Sequence, residues 1–209
     1  KNVTLRDLLS RPDEASYEPI VELLRTSEQG GVVRLLLGLL DDPKSPLVVA
    51  DVIGSRTDAK FVGYLAQAVG PNPSRAIAES LKRIRDIAWA TIDHPVFAEL
   101  DDAGQEGAVQ ILVRASLDRD RVLATLCHLA KKGNAGGRQA ALHALKGFNK
   151  PGISQVIIDA LEDPEPRVRA EAILQVRPRQ ILGAFSILIR MVDDPAEEVR
   201  EALRTAMPE

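Results

Sequence analysis

Glu162-Asp163-Pro164-Glu165-Pro166-Arg167-Val168-Arg169 is echoed 31 residues later by Asp193-Asp194-Pro195-Ala196-Glu197-Glu198-Val199-Arg200. In both stretches an apolar, helix-like run leads into an acidic residue and Asp-Pro. A Val-Arg pair then opens a second helical run. Proline breaks a helix interior but is tolerated in a first turn, so the phrase marks a helix-to-helix turn. A weaker copy, Asp41-Asp42-Pro43-Lys44-Ser45-Pro46-Leu47, stands near the start. A unit of two short helices recurring about every 30 residues cannot bury its apolar face alone, so it stacks on its neighbours. The expected fold is all-α: an α-solenoid of about five to six antiparallel helix pairs wound as a superhelix.

The rest of the chain reads outward from that phrase. Residues 31–40 are apolar almost all round and predict an inner helix, ended by Asp42-Pro43 and partnered by 46–53. Earlier helices are expected over 3–9 and 17–25. Thr57 is the expected N-cap of a helix over 58–69. After the Gly70-Pro71-Asn72-Pro73 turn, Ser74 opens a helix expected to run to about residue 90. Later helices are expected over 104–115, 119–131, 137–148, 153–161, 167–176, 181–192 and 196–207, with a Gly-rich turn over 133–137. The stretch 85–102 fits the period worst, so a kink or insertion belongs there. The organisation expected is one array over 1–209, with divergent repeats over 1–90, an irregular segment over 91–103 and clearer repeats over 104–209.

Composition narrows the function classes. Aromatic residues are only 3% of the chain, so aliphatic side chains and Ala must fill the core of thin, closely stacked helices. The net charge of -3 supplies no global field that would drive the chain onto nucleic acid or a membrane. The single cysteine, Cys127, rules out an intrachain disulfide and a multi-cysteine metal site. It fits a reducing, cytoplasmic setting and reads as a core residue. No apolar run approaches the roughly 20 residues that span a bilayer. The chain opens at Lys1 without a methionine or a signal-like segment, so a module of a larger polypeptide is the expectation.

The pairs resemble HEAT repeats, particularly the short bacterial kind found in lyase-like proteins. In that family the second helix carries a Val-Arg-x-x-Ala-x-x-x-Leu pattern. Val168-Arg169 with Ala172 and Val176 follow it, as do Arg138, Ala141 and Leu145, and Val199-Arg200 with Leu203 and Met207. The resemblance is good from about residue 104 onward and thin before it. It implies an interaction fold and says little of function. It also implies a polar ladder between repeats, built from a turn aspartate and the arginine six residues later. That assigns Asp163 with Arg169 and Asp194 with Arg200. Arg138 and Asp42 have no such partner at that spacing.

Candidate chemistry is sparse. His94, His128 and His143 lack the glutamate neighbours and helical spacing of a metal site. Cys127 and His128 are adjacent on a helix and point about 100° apart, so they form no dyad. Phosphate-binding, dinucleotide and nucleophile-elbow motifs do not occur. The reading is no enzyme, no cofactor and no metal. One charge feature stands out: no acidic residue occurs between Asp120 and Asp159, whereas Arg121, Lys131, Lys132, Arg138, Lys146 and Lys150 do. On the helix after the Gly-rich turn, Gln139, His143 and Lys146 share a face. They form the candidate binding patch, with Arg138 and Lys150 at its margin. Ala170 and Gln175 are expected to point outward on the next repeat. The expected function is a protein-interaction scaffold or adaptor whose partner carries an acidic surface. The alternative is a nucleic-acid module or a divergent relative of HEAT-like DNA glycosylases, for which Trp89 is the only tryptophan on offer.

Overall fold

A computed structural model describes residues 4–42 and 44–207. The expected helix start at residue 3, Pro43 of the weaker copy and the array ends 1–3 and 208–209 lie outside the described residues. Among the described residues the chain is all-helical, with no strand. Backbone contacts divide it into two compact units, the first ending at Val122 and the second beginning at Leu123.

The first unit holds α1 (Leu5–Leu9), α2 (Tyr17–Thr26), α3 (Gly30–Gly38), α4 (Leu47–Ser55), α5 (Ala59–Val69), α6 (Arg75–Leu81), α7 (Val96–Glu99) and α8 (Asp102–Arg114). The boundary falls within α9 (Arg119–Lys132). The second unit continues with α10 (Ala135–Leu145), α11 (Ile153–Ala160), α12 (Pro166–Val176), α13 (Phe185–Arg190) and α14 (Glu197–Ala206). Short 3-10 turns precede or follow some helices, over 39–41, 182–184 and 191–193. The chain is thus of the α-solenoid class, built from short helices that pack mainly on helices two or three places along the chain.

Local chemistry sets the helix starts. Asp58, not Thr57, caps α5, its carboxylate accepting from Phe61 N–H at 2.9 Å. Ser74 caps α6, Asp101 caps α8 and Asn134 caps α10 through the same contact three residues on. Each satisfies one of the orphan N–H groups of a first turn. The Gly-rich stretch 133–137 is only partly a turn: Asn134 is a cap, and 135–137 already form the first turn of α10.

In the first unit α2 packs on α4, α3 on α5, and α5 on α7 and α8. The approach of α5 to α8 is close enough that a β-carbon at Gly107 would overlap the Ala66 carbonyl. Arg56, nearly sealed from solvent, donates to the carbonyls of Leu24 (3.1 Å) and Ser27 (2.9 Å) at the end of α2. It also pairs with Asp58 and lies over the Phe61 ring at 4.2 Å.

The helix opened by Ser74 ends at Leu81 rather than near residue 90. Residues 82–95 form turns and irregular chain, with some polar groups bonded within the segment and others from outside it. Ala88 N–H donates to Gly54 O, Ser116 N–H donates to Ile84 O, and Arg121 donates to the carbonyls of Ile87 and Ala90. Those tertiary bonds replace the helical ladder the sequence pattern suggested. The segment also carries Trp89 into the core, fully buried and edge-on to Phe97 with centroids 5.7 Å apart. Asp93 closes the segment in a left-handed conformation (φ 60°), which aspartate tolerates better than most residues.

In the second unit α10, α12 and α14 form a row, each packed on the next, with α11 against α12. The arc Val168, Glu171, Ala172, Gln175 and Val176 of α12 is buried. Because α12 packs on helices at either side, that arc is wider than its apolar stripe and takes in two polar side chains. Gln175, expected to point outward, is therefore buried, and Ala170 is half-buried. Cys127, expected in the core, is half-buried, and burial raises its thiol pKa. No helix among the described residues is long and apolar enough to cross a membrane.

A helix-interior Gly→Ala change ordinarily stabilises by up to about 1 kcal/mol. Gly107→Ala is expected to do the opposite and destabilise by about 1–3 kcal/mol, because α5 and α8 must separate. Urea unfolding of the two proteins, with equal m-values, measures the difference.

Candidate functional site

The two echoed phrases fold into one repeated device. The Asp163 carboxylate accepts from Glu165 N–H, and that of Asp194 accepts from Ala196 N–H, each at 2.9 Å. Asp42 does the same for Lys44 N–H at 2.8 Å, so the weaker copy keeps the turn chemistry. Each arginine then links two turns. Arg169 holds the carbonyls of Asp163 and Pro164 with Nη1 and grips the Asp194 carboxylate with Nε (3.0 Å) and Nη2 (2.8 Å).

Arg138 repeats this one unit earlier, with Nη1 on Gly133 O and Nε and Nη2 on Asp163 at 2.7 and 2.8 Å. The carboxylate partner of each ladder arginine thus lies 25 residues ahead of it, not six behind. This corrects the pairings of Asp163 with Arg169 and Asp194 with Arg200 in register. Between those residues the arginine meets the aspartate's main-chain carbonyl, and Arg200 pairs with Glu197 instead. Each carboxylate does double duty: Oδ1 accepts from its own turn's N–H and from the arginine's Nη2, and Oδ2 accepts from Nε, so the cap is aimed at the preceding repeat. Arg138, expected at the margin of a binding patch, is a member of this ladder.

A second set of polar contacts joins α10 to α12. Gln175 donates to Leu142 O at 2.6 Å. Arg179 donates to Leu145 O at 2.5 Å and Phe148 O at 3.1 Å, closing the carbonyl end of α10. Glu171, its side chain only 9% exposed, meets Lys146 at 2.7 Å and His143 at 3.4 Å. Lys146 and His143 are themselves 3.2 Å apart. The structure therefore brings His143 and Lys146 together as the sequence suggested, but around a carboxylate the sequence reading passed over. Gln139 is half-buried on α10, about one turn from His143.

Beside these contacts lies an open cleft of about 760 Å³, between the turn after α10 and the end of α12. Its lining includes Lys146, Lys150, Arg179, Phe148, Leu174 and Gln175, and no Asp or Glu. Lys146 and Lys150 of the candidate patch line it, whereas Gln139, His143 and Arg138 do not. Gln180 at its edge holds a left-handed backbone (φ 54°), strained for a side chain of that length. Sequence reasoning missed Glu171, Arg179 and Gln180. For Arg179 a signal existed: it stands 31 residues after Phe148, the spacing of the echoed phrases.

No group of three or more His, Cys, Asp or Glu able to hold a metal occurs among the described residues. Trp89, sealed in the core, is out of reach of a nucleobase.

A ladder of bidentate arginine–aspartate pairs between stacked two-helix units defines a helical-repeat protein. Residues 122–207 match the family model for HEAT repeats, and that stretch of the chain is HEAT-like. Among solved structures it is similar to a designed armadillo repeat protein in complex with the peptide (KR)4. That likeness covers 95% of each chain at 15% identity, with a TM-score of 0.40. No curated protein matches.

Arg169→Ala and Asp194→Ala are each expected to destabilise the second unit by about 1–3 kcal/mol, the cost of orphaning a buried polar partner. The double variant should lose less than the sum by about 1 kcal/mol, whereas Arg169→Ala with Asp159→Ala should be additive. Chemical denaturation of the unaltered protein, the three single variants and the two doubles tests this.

Burial pushes the Asp194 carboxyl up. The hydrogen bond from Arg169, that from Ala196 N–H and the charges of Arg169 and Arg200 outweigh it and hold the pKa below the usual carboxylate value. A lowered folded-state pKa means this stabilisation is complete above the unfolded value of about 4 and is lost as pH falls through the lower folded one. Stability measured from about pH 5 to about pH 2 should therefore fall less steeply in Asp194→Asn than in the unaltered protein.

Proposed function

We propose that the chain is a non-enzymatic protein-interaction scaffold and that its second unit holds an acidic segment of a partner protein in the α10–α12 cleft. Both units belong to one HEAT-like array in this reading, and the setting is cytoplasmic. The observation that carries the proposal is the composition of the cleft. Lys146, Lys150 and Arg179 line it without a carboxylate, in a chain whose net charge is -3.

Glu171 offsets part of the Lys146 charge and Arg179 is committed to carbonyls, so the cleft presents less than three full positive charges, with Lys150 exposed at its rim. Phe148 and Leu174 give the floor an apolar share, which suits a peptide better than a bare ion. HEAT-repeat architecture supports the reading because stacked helices offer extended surfaces for partners.

A fluorescent decaglutamate peptide is the probe. Its anisotropy should rise with added protein at low salt. Lys150→Glu should lower the affinity about tenfold and flatten the salt dependence while leaving the circular dichroism unchanged. Lys146→Glu should do the same less cleanly, since it sets two carboxylates side by side. Equal binding by Lys150→Glu would remove the proposal. A DNA oligonucleotide that binds in place of the peptide, with a steep salt slope, would point to a nucleic-acid module.

A further inference from the structure

A second cleft, of about 570 Å³, lies in the same unit against α13 and the end of α14. Its position is not independent of the first. Adding 31 to residues that line the basic cleft gives residues that line this one: Lys146 becomes Arg177, Asn149 becomes Gln180, Pro151 becomes Leu182 and Ser154 becomes Phe185. The two occupy equivalent places on successive repeats, and Gln180 lines both, so they are adjacent.

Their chemistry differs. Where the first presents Ser154 and Pro151, the second presents Phe185 and Leu182, which are 61% and 88% exposed. Met207 adds to this apolar surface, and Arg177 keeps one cation on its rim. Side chains of that size and exposure side by side are the mark of a surface that is covered in use.

Resting on the reading of the basic cleft given above, we infer that the two clefts form one binding groove for a single extended peptide segment. Acidic residues of the segment sit beside Lys146 and Lys150, and a bulky apolar residue sits on Leu182 and Phe185. Charge complementarity at one end and the adjacency of the two clefts at Gln180 select this occupant. Adjacent repeat helices lie roughly 8–10 Å apart, and an extended chain advances about 3.3 Å per residue. The acidic and apolar residues of the segment are therefore separated by about three positions.

The test uses labelled decapeptides. One carries two glutamates and a phenylalanine three positions on, and a second has the reverse order. Two controls replace the phenylalanine with serine or the glutamates with lysine. One of the first two peptides should bind, and each control should bind about tenfold more weakly than it. Phe185→Ser should erase the preference for phenylalanine but keep the preference for glutamate, and Lys150→Glu should do the reverse. Both side chains are exposed, and unchanged thermal unfolding confirms that each variant is folded.

If glutamate matters but phenylalanine and Phe185 do not, the basic cleft stands alone and this inference is overturned. If no peptide binds, both readings fail. If sedimentation shows self-association of the unaltered chain that Phe185→Ser abolishes, the apolar cleft is an interface between copies, and the shared groove is overturned.

Discussion

Arginine hydrogen-bonded to the carbonyl end of the preceding repeat's helix is the contact on which both units depend. Every α-helix ends with carbonyls that have no partner within the helix. In stacked short helices those ends fall at the seams, where water reaches them poorly. Arg56 meets the end of α2, and Arg179 meets the end of α10. Arg121 meets the irregular segment that stands where a helix end would be. Their partners lie 29 to 34 residues back, close to one repeat. Arginine suits the task because its fork reaches several acceptors at once, it stays charged, and its stem packs on apolar surface. A repeat array has only nearest-neighbour interfaces, so these seams carry a large share of its cooperativity.

In the second unit the seam has two polar faces. On the turn side Arg138 and Arg169 form the ladder with Asp163 and Asp194. On the helix-end side Gln175, Arg179 and Glu171 tie α12 to α10. Much of the basic charge that the sequence concentrates after Asp120 is thus committed to holding repeats together. Lys146 and Lys150 of the cleft stand outside the arginine–aspartate ladder, whereas Gln175 and Arg179 both line the cleft and tie α12 to α10.

The first unit shows how far the repeat can be bent from its pattern. Helix-sized spacing is kept by α2, α4, α5 and α8, yet residues 82–95 abandon the helix. The loss is offset by burial of Trp89 and by hydrogen bonds from Ser116, Ala88 and Arg121. Gly54 and Gly107 are the local requirements of that arrangement. A side chain at either would meet a main-chain carbonyl, of Asp86 and Ala66 respectively.

The sequence by itself determined the all-helical class, the 31-residue period, most helix starts and the place where the period fails. All of these follow from local rules: capping residues, Asp-Pro turns and apolar spacing. It also put His143 of α10 beside Lys146, the residue that caps the end of α10. Tertiary structure alone decided which carboxylate each arginine meets, because the aspartate's capping of its own turn aims it at the repeat before, a direction no spacing within one repeat reveals. It alone placed Glu171 and Gln175 inside, since their burial depends on helices packing on two sides of α12. And it alone joined Lys150, Arg179 and Gln180 around one cleft, because residues a full repeat apart become neighbours only once the helices have stacked.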